Sequence, residues 1–334
     1  MRLTWSSFLW FLLAIFLVSL TVVGISTSVG GQSTHSLLPP NARGPVIPRN
    51  KGYLVEKVGN NLYRVADGAY DAMFLVYDKG VVAVDAPPTI GKNYLNAISE
   101  VTKNPVTHVI YSHAHTDHIG AASLFPKTAT YIAQEETTVI LSRMKDPRRP
   151  IPTVSFAEDY TLKVGNQVLE LHYAGVNHQA GNIFIYAPQQ KVLMLVDIVY
   201  PGWIPFKNLG IVEDVPGYLV AHDVALQYDF NVFIGGHVNR YGTRKDVEES
   251  REFALDLKNA AQKALQAVNI GAIAQKTGVE NVWYFYDTYQ DTVVDQCVKE
   301  MLPKWRNRLG GVEVYLADNC WVMQESLSVQ FPPQ

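Results

Sequence analysis

From Tyr53 onward, short β-branched and aromatic runs alternate with turn residues, the pattern of closely spaced strands. Strands are expected at Tyr53–Val58, Leu62–Val65, Met73–Tyr77 and Val81–Val84. The spacing then predicts a helix over residues 92–103, a strand at Thr107–Tyr111, a short helix, a strand at Thr130–Ala133 and a second helix from Gln134. After a Pro-rich loop at 147–152, three more strands are expected: Val168–Tyr173, Asn182–Tyr186 and Lys191–Val196. A helix near Gly217–Tyr228 and a strand at Val232–Ile234 follow. From about Lys245 the period changes. Phe253, Leu257, Ala260, Ala264 and Val268 recur at helical spacing, and further helices are expected over Thr288–Trp305 and Gly311–Leu327. Two β-rich halves with helices outside imply an α+β fold. It is a four-layer αββα sandwich over residues 51–245 carrying a helical C-terminal extension over 246–334.

The ends change that picture. Arg2 precedes an uncharged apolar stretch from Phe8 to Ile25 and then small residues. This is the layout of a signal peptide over residues 1–26, and its length also suits a retained membrane anchor. Either way the functional part is exported: secreted, periplasmic or extracellular, or held at a membrane by that segment. Residues 27–50, rich in Ser, Gly, Pro and Asn, read as a linker. The two cysteines, Cys297 and Cys320, suit a disulfide in an oxidising compartment, with two buried thiols as the alternative. A net charge of −3 gives no footing for nucleic acid. The one basic run, Arg148-Arg149 between prolines, reads as a solvated loop.

The chemistry concentrates between Thr107 and Gly120, where an apolar strand runs into His113-Ala114-His115-Thr116-Asp117-His118. The chain holds nine histidines in 334 residues, so three within six positions, together with an aspartate, are not a chance surface cluster. Neutral imidazole and carboxylate are the donors that zinc and similar divalent ions accept. Alternation at a strand end aims His113 and His115 the same way. The turn that follows carries Asp117 and His118 to a neighbouring point, so one loop serves two adjacent metals.

This segment resembles the signature of the metallo-β-lactamase superfamily, and the resemblance extends from about Val55 to Tyr241. Val81–Asp85 is similar to the strand that ends in a supporting aspartate, Asp85. Gly175-Val176-Asn177-His178 is similar to the strand-end histidine that completes the first metal site with His113 and His115. Leu195-Val196-Asp197 is similar to the aspartate that bridges both metals. Gly235-Gly236-His237 is similar to the last ligand, joining Asp117 and His118 at the second metal. The resemblance implies a hydrolase with two divalent ions, zinc by default, with iron and manganese as options. A metal-bridging hydroxide would attack a carbonyl carbon, with Asp117 also handling its proton.

The bridging aspartate is similar to that of hydroxyacylglutathione hydrolases and lactonases, which points to esters, lactones or thioesters. The alternatives are β-lactamase-type amide hydrolysis and a mononuclear-iron persulfide dioxygenase; the full set of seven donors argues for two metals. Trp203 and Phe206, in the aromatic loop after Asp197, and Tyr241, beyond His237, are candidate substrate contacts. His108 and His172, inside strands, read as packing or surface residues. His222, on an expected helix, is an open choice between pocket lining and core, and His35 lies in the tail. No Ser-His-Asp arrangement, phosphate-binding loop or dinucleotide glycine pattern competes. The expected partners are a small-molecule substrate and no nucleic acid. A membrane enters only through the N-terminal segment, and a second copy of the chain is an option.

Overall fold

The computed structural model describes residues 38–331; the apolar N-terminal stretch and His35 lie outside them. A seven-stranded sheet runs in sequence order: β1 (Leu54–Gly59), β2 (Leu62–Ala66), β3 (Asp71–Tyr77), β4 (Gly80–Val84), β5 (Val106–Ile110), β6 (Thr130–Gln134) and β7 (Val154–Phe156). Its first four strands are antiparallel and its last four parallel. The second sheet has five strands: β8 (Asp159–Val164), β9 (Gln167–His172), β10 (Phe184–Ala187), β11 (Val192–Leu195) and β12 (Val232–Ile234). Their order is β12-β11-β10-β9-β8.

The burial of alternate side chains makes the layers. On β4, Val82 and Val84 face the core between the sheets, while Val81 and Ala83 face the outer helices. On β11, Val192 and Met194 enter the inter-sheet core, and Leu193 and Leu195 the opposite one. Both strands are therefore apolar at every position, as a sheet covered on both faces requires. The first sheet's outer face carries α1 (Asn93–Val101) and α3 (Glu135–Met144). The single turn α2 (Thr116–Ile119) lies between them in sequence.

The second sheet's outer face is covered by α5 (Val215–Ala225), α6 (Arg244–Ala267), α8 (Val282–Trp305) and α9 (Val312–Val329). The helical extension thus shares a core with the sandwich. Thr243 and Asp246 form a capping box that starts α6. Asn269 caps α7 (Ile270–Thr277) and Asn281 caps α8, each through its side chain. Cys297 of α8 and Cys320 of α9 form the disulfide. Among the described residues, no helix is long and apolar enough to cross a membrane.

Several expectations are corrected. β7 and β8, between the Pro-rich loop and the strand expected at Val168, were not anticipated, nor was α7, and α8 starts at Val282 rather than Thr288. The part of the expected linker from Leu38 onward is fastened. Asn41 donates to the Arg308 carbonyl at 2.9 Å, and the Ala42 carbonyl accepts from Trp203 Nε1 at 2.9 Å.

Candidate metal centre

The ends of five strands meet at one rim of the sandwich. Beyond β5 the backbone carries His113 and His115 into α2, which begins at Thr116 and presents Asp117 and His118. The loop between β9 and β10 contributes His178, the residues after β11 contribute Asp197, and the turn after β12 contributes His237. Two groups of donors result: His113, His115, His178 and Asp197, and Asp117, His118 and His237. Within each, the donor atoms all lie within 4.8 Å of one another.

Asp197 touches both groups. Its Oδ2 lies 3.2 Å from His178 Nε2, 3.5 Å from His113 Nε2 and 3.1 Å from His118 Nε2. Its Oδ1 lies 2.9 Å from His237 Nε2. Ring nitrogens also face one another: His178 Nε2 and His115 Nδ1 at 3.0 Å, His118 Nε2 and His237 Nε2 at 3.1 Å. His113 Nε2 is buried without a hydrogen-bond partner. Convergent acceptors with too few protons between them suit a cation, so the residues present fit divalent metal.

The electrostatics agree. Burial alone would raise the Asp197 carboxyl, but His118, His178 and His237 outweigh it and hold the group well below the usual carboxylate range. Burial pulls His118 down, yet the Asp197 and Asp117 carboxylates dominate and lift it to about 9. Burial drives His178 down to about 4 and His113 well below its ordinary value, which keeps both imidazoles neutral and able to ligate.

The loop is braced from behind. Asp85, fully buried and at φ 59°, accepts the Ser112 N–H at 2.8 Å and so fixes the residue before His113. Gln179 Oε1 accepts the Ala114 N–H at 3.0 Å, and Arg149 Nη1 donates to the Ala114 carbonyl at 2.6 Å. Arg149 corrects the expectation of a solvated basic run. Arg148 is exposed, but Arg149 is buried, pairs with Asp146 and holds the backbone between two donor histidines.

Two tyrosines complete the surroundings and were not singled out from sequence. Tyr70, at the turn between β2 and β3, has its ring 4.6 Å from that of His237 and its hydroxyl 3.4 Å from Asp117 Oδ2. Burial and the Asp117 charge push it up to about 12, so it stays protonated and donates a hydrogen bond at neutral pH. Tyr200, buried, places its hydroxyl 3.4 Å from Asp197 Oδ1. Only the turn that brings Tyr70 back along His237 reveals its place, and no periodicity announces it.

Trp203 packs on Ala42 and against the Gly310–Gly311 turn. Phe206 stands edge-on to Tyr315, and Tyr241 is exposed. His222 is fully buried between the Tyr218 carbonyl and Ser250 Oγ, which settles it as a core residue rather than pocket lining. His172 pairs with Asp159, and His108 lies beside Thr107 Oγ1.

With this geometry in hand, comparison with known proteins is informative. The sequence pattern described as the Metallo-beta-lactamase superfamily matches residues 66–261. The 2,4-dinitroanisole O-demethylase subunit alpha of Nocardioides sp. (strain JS1661) is 29% identical over 200 residues, 57% of this chain and 59% of that protein. The chain thus spans about three-fifths of that relative's length. A Metallo-beta-lactamase type 2 of Elizabethkingia meningoseptica is 30% identical over 185 residues, 52% of this chain and 71% of that one. Among solved structures, the metallo-beta-lactamase from Pontibacter korlensis superposes with a TM-score of 0.53 at 23% identity. It covers 61% of this chain and 99% of its own. Metallo-beta-lactamase IND-7 gives 0.53 at 21% identity, covering 61% of this chain and 98% of its own. These structural likenesses are ones of fold.

Proposed function

Because the chain belongs to the metallo-β-lactamase superfamily, we propose that it is a hydrolase that holds two divalent metal ions, zinc by default, and cleaves an ester, lactone or thioester. One observation carries the reading: five imidazoles and two carboxylates converge at one rim in two adjacent groups, with Asp197 in contact with both. When bound, such ions supply a water of lowered pKa and a Lewis acid for the carbonyl oxygen.

The chain's own residues do the rest. His113, His115 and His178 would hold one ion, and Asp117, His118 and His237 the other, with Asp197 setting their separation. Asp117, whose side chain is 44% exposed, faces the open side of the site and is placed to accept the proton that the attacking water sheds. The Tyr70 hydroxyl donates toward Asp117 and orients its carboxylate. Asp85, Gln179 and Arg149 keep the His113–His115 backbone from moving as charge develops.

We also propose an extracellular or membrane-attached site of action; the Phe8–Ile25 stretch and the Cys297–Cys320 disulfide support it. A second reading, O-demethylation of an aryl ether, is favoured by the name of the Nocardioides relative alone. The test is a panel on the metal-loaded protein: a lactone, an aryl ester, a thioester, a chromogenic β-lactam and 2,4-dinitroanisole. Turnover of at least one of the first three, abolished by chelation and restored by zinc, is expected. Turnover of the β-lactam or the anisole alone would overturn the substrate ranking.

A further inference from the structure

Asn319 lies on α9, beyond the stretch that matches the superfamily pattern. It is fully buried, and its side-chain amide is used on a loop far away in sequence. Its Oδ1 accepts the Leu209 N–H at 2.8 Å, and its Nδ2 donates to the Pro205 carbonyl at 2.9 Å. The segment it grips is the tight turn α4 (Lys207–Ile211), where Asn208, Leu209, Gly210 and Ile211 have φ of 55°, 53°, 77° and 62°. Side-chain-bearing residues resist the left-handed region, and a β-branched isoleucine most of all, so such a run persists only where its surroundings hold it. The two hydrogen bonds of Asn319 are a central part of that hold, beside the burial of Leu209 and the Lys207–Asp318 pair.

The turn in turn presses on the metal centre. Gly210 lies so close to Tyr200 that a Cβ there would sit 2.5 Å from the tyrosine oxygen. The same hydroxyl is 3.4 Å from Asp197 Oδ1, and the Tyr200 ring is 5.7 Å from that of His237. We propose that Asn319 is a positioning residue for the metal centre: by fixing the turn it seats Tyr200 against Asp197. The C-terminal extension is thereby part of what sets the bridging carboxylate. This rests on the reading of the donor cluster as a metal centre.

The test measures affinity for the more weakly held equivalent of zinc, by competition with a chelator, and the visible absorption of the cobalt-substituted protein. Tyr200→Phe and Asn319→Ala should each weaken that affinity about 10- to 100-fold, the range for groups that support metal ligands, and shift the cobalt bands. The double variant should be no weaker than Tyr200→Phe alone, because one acts through the other. Leu316→Ala, which truncates a buried side chain of the same helix, should lower the melting temperature and leave affinity unchanged. Should Asn319→Ala not fold, Gly210→Ala replaces it, since its methyl displaces the Tyr200 hydroxyl from the same side. Unchanged affinity in a folded Asn319→Ala or in Tyr200→Phe, multiplying losses in the double variant, or an equal loss in Leu316→Ala overturns the inference while leaving the metal centre standing. A wild-type protein that retains no metal overturns both.

Discussion

The two donor groups are built differently. His113, His178 and Asp197 have side chains 0%, 2% and 4% exposed, whereas in the second group only His118 is fully buried and Asp117 and His237 are 44% and 17% exposed. The first group hangs on backbone that buried partners hold: Asp85, Gln179, Arg149, and Asn177, whose Oδ1 accepts the His178 N–H at 2.7 Å. The second rests on the one-turn helix α2 and on a turn whose Val238 has φ 63°, and Tyr70 is its principal neighbour. A prebuilt, dry cage loses little order on binding a cation, while an open group exchanges its ion and meets substrate. On the proposed function, the first group is expected to hold its ion more tightly and the second to face substrate.

The largest break in that distinction comes from the one residue that belongs to both halves. Asp197→Ala should strip both ions and lower turnover about a thousandfold or more, since the metals supply several kcal/mol of transition-state stabilisation. Metal analysis after gel filtration, read beside activity, checks it; near-normal turnover would end the proposal. Next in size is the contrast between His178→Ala and His237→Ala. Loss of His237 should leave close to one equivalent of metal bound after dialysis, because the buried group is intact. Loss of His178 should weaken the tightly held equivalent. Equal losses from the two variants would erase the difference between the halves.

Tyr70→Phe probes the open half alone. With the hydroxyl gone, Asp117 loses a donor at 3.4 Å, and turnover should fall roughly tenfold, at the low end of what supporting groups contribute. Metal content should stay at the wild-type value, and the change should appear in kcat more than in KM. A loss of metal instead would make Tyr70 a structural support.

What sequence made legible is one loop, which supplies two donors to each group. His-Ala-His-Thr-Asp-His after an apolar strand fixes geometry locally, since strand alternation and one helical turn suffice to aim four donors. His178, Asp197 and His237 stand at strand ends and were found by resemblance, because only the sheet order brings β9, β11 and β12 beside β5 across the inter-sheet core. The strands that read well, β4 and β11, are apolar at every position. β8 was missed because its outward positions, Asp159, Thr161 and Lys163, are exposed and polar, and β7 because it is three residues at an edge. α7 escaped notice because it is only eight residues long and none of them is buried. The aromatic start of α8, Val282 to Tyr286, reads as strand by composition; the Asn281 cap makes it helix. Arg149 looked solvated because nothing in its neighbourhood announces that the Ala114 carbonyl arrives there from the loop after β5. Long-range partners of this kind are set by tertiary packing, which local pattern does not encode.

His222 offers the smallest expected effect on the metal centre, and the sharpest control for what makes a histidine a ligand. Like His178 it is buried, and burial drives both down to about 4. Unlike His178 it is satisfied at both nitrogens, 2.9 Å from the Tyr218 carbonyl and 3.0 Å from Ser250 Oγ, so Nδ1 donates and Nε2 accepts. In the unfolded chain its imidazole returns to an ordinary value near 6.5. Between about pH 6.5 and 4 the unfolded state binds a proton that the folded state refuses, so stability present above that window is lost as the pH falls through it. The loss is on the order of 3 kcal/mol if the full shift is expressed. Denaturant titrations of metal-free wild type and His222→Gln across that range should show the variant with the shallower decline, and both proteins should bind the same metal at neutral pH. Equal slopes would mean that His222 meets solvent in the folded protein, and altered metal content would place it in the centre after all.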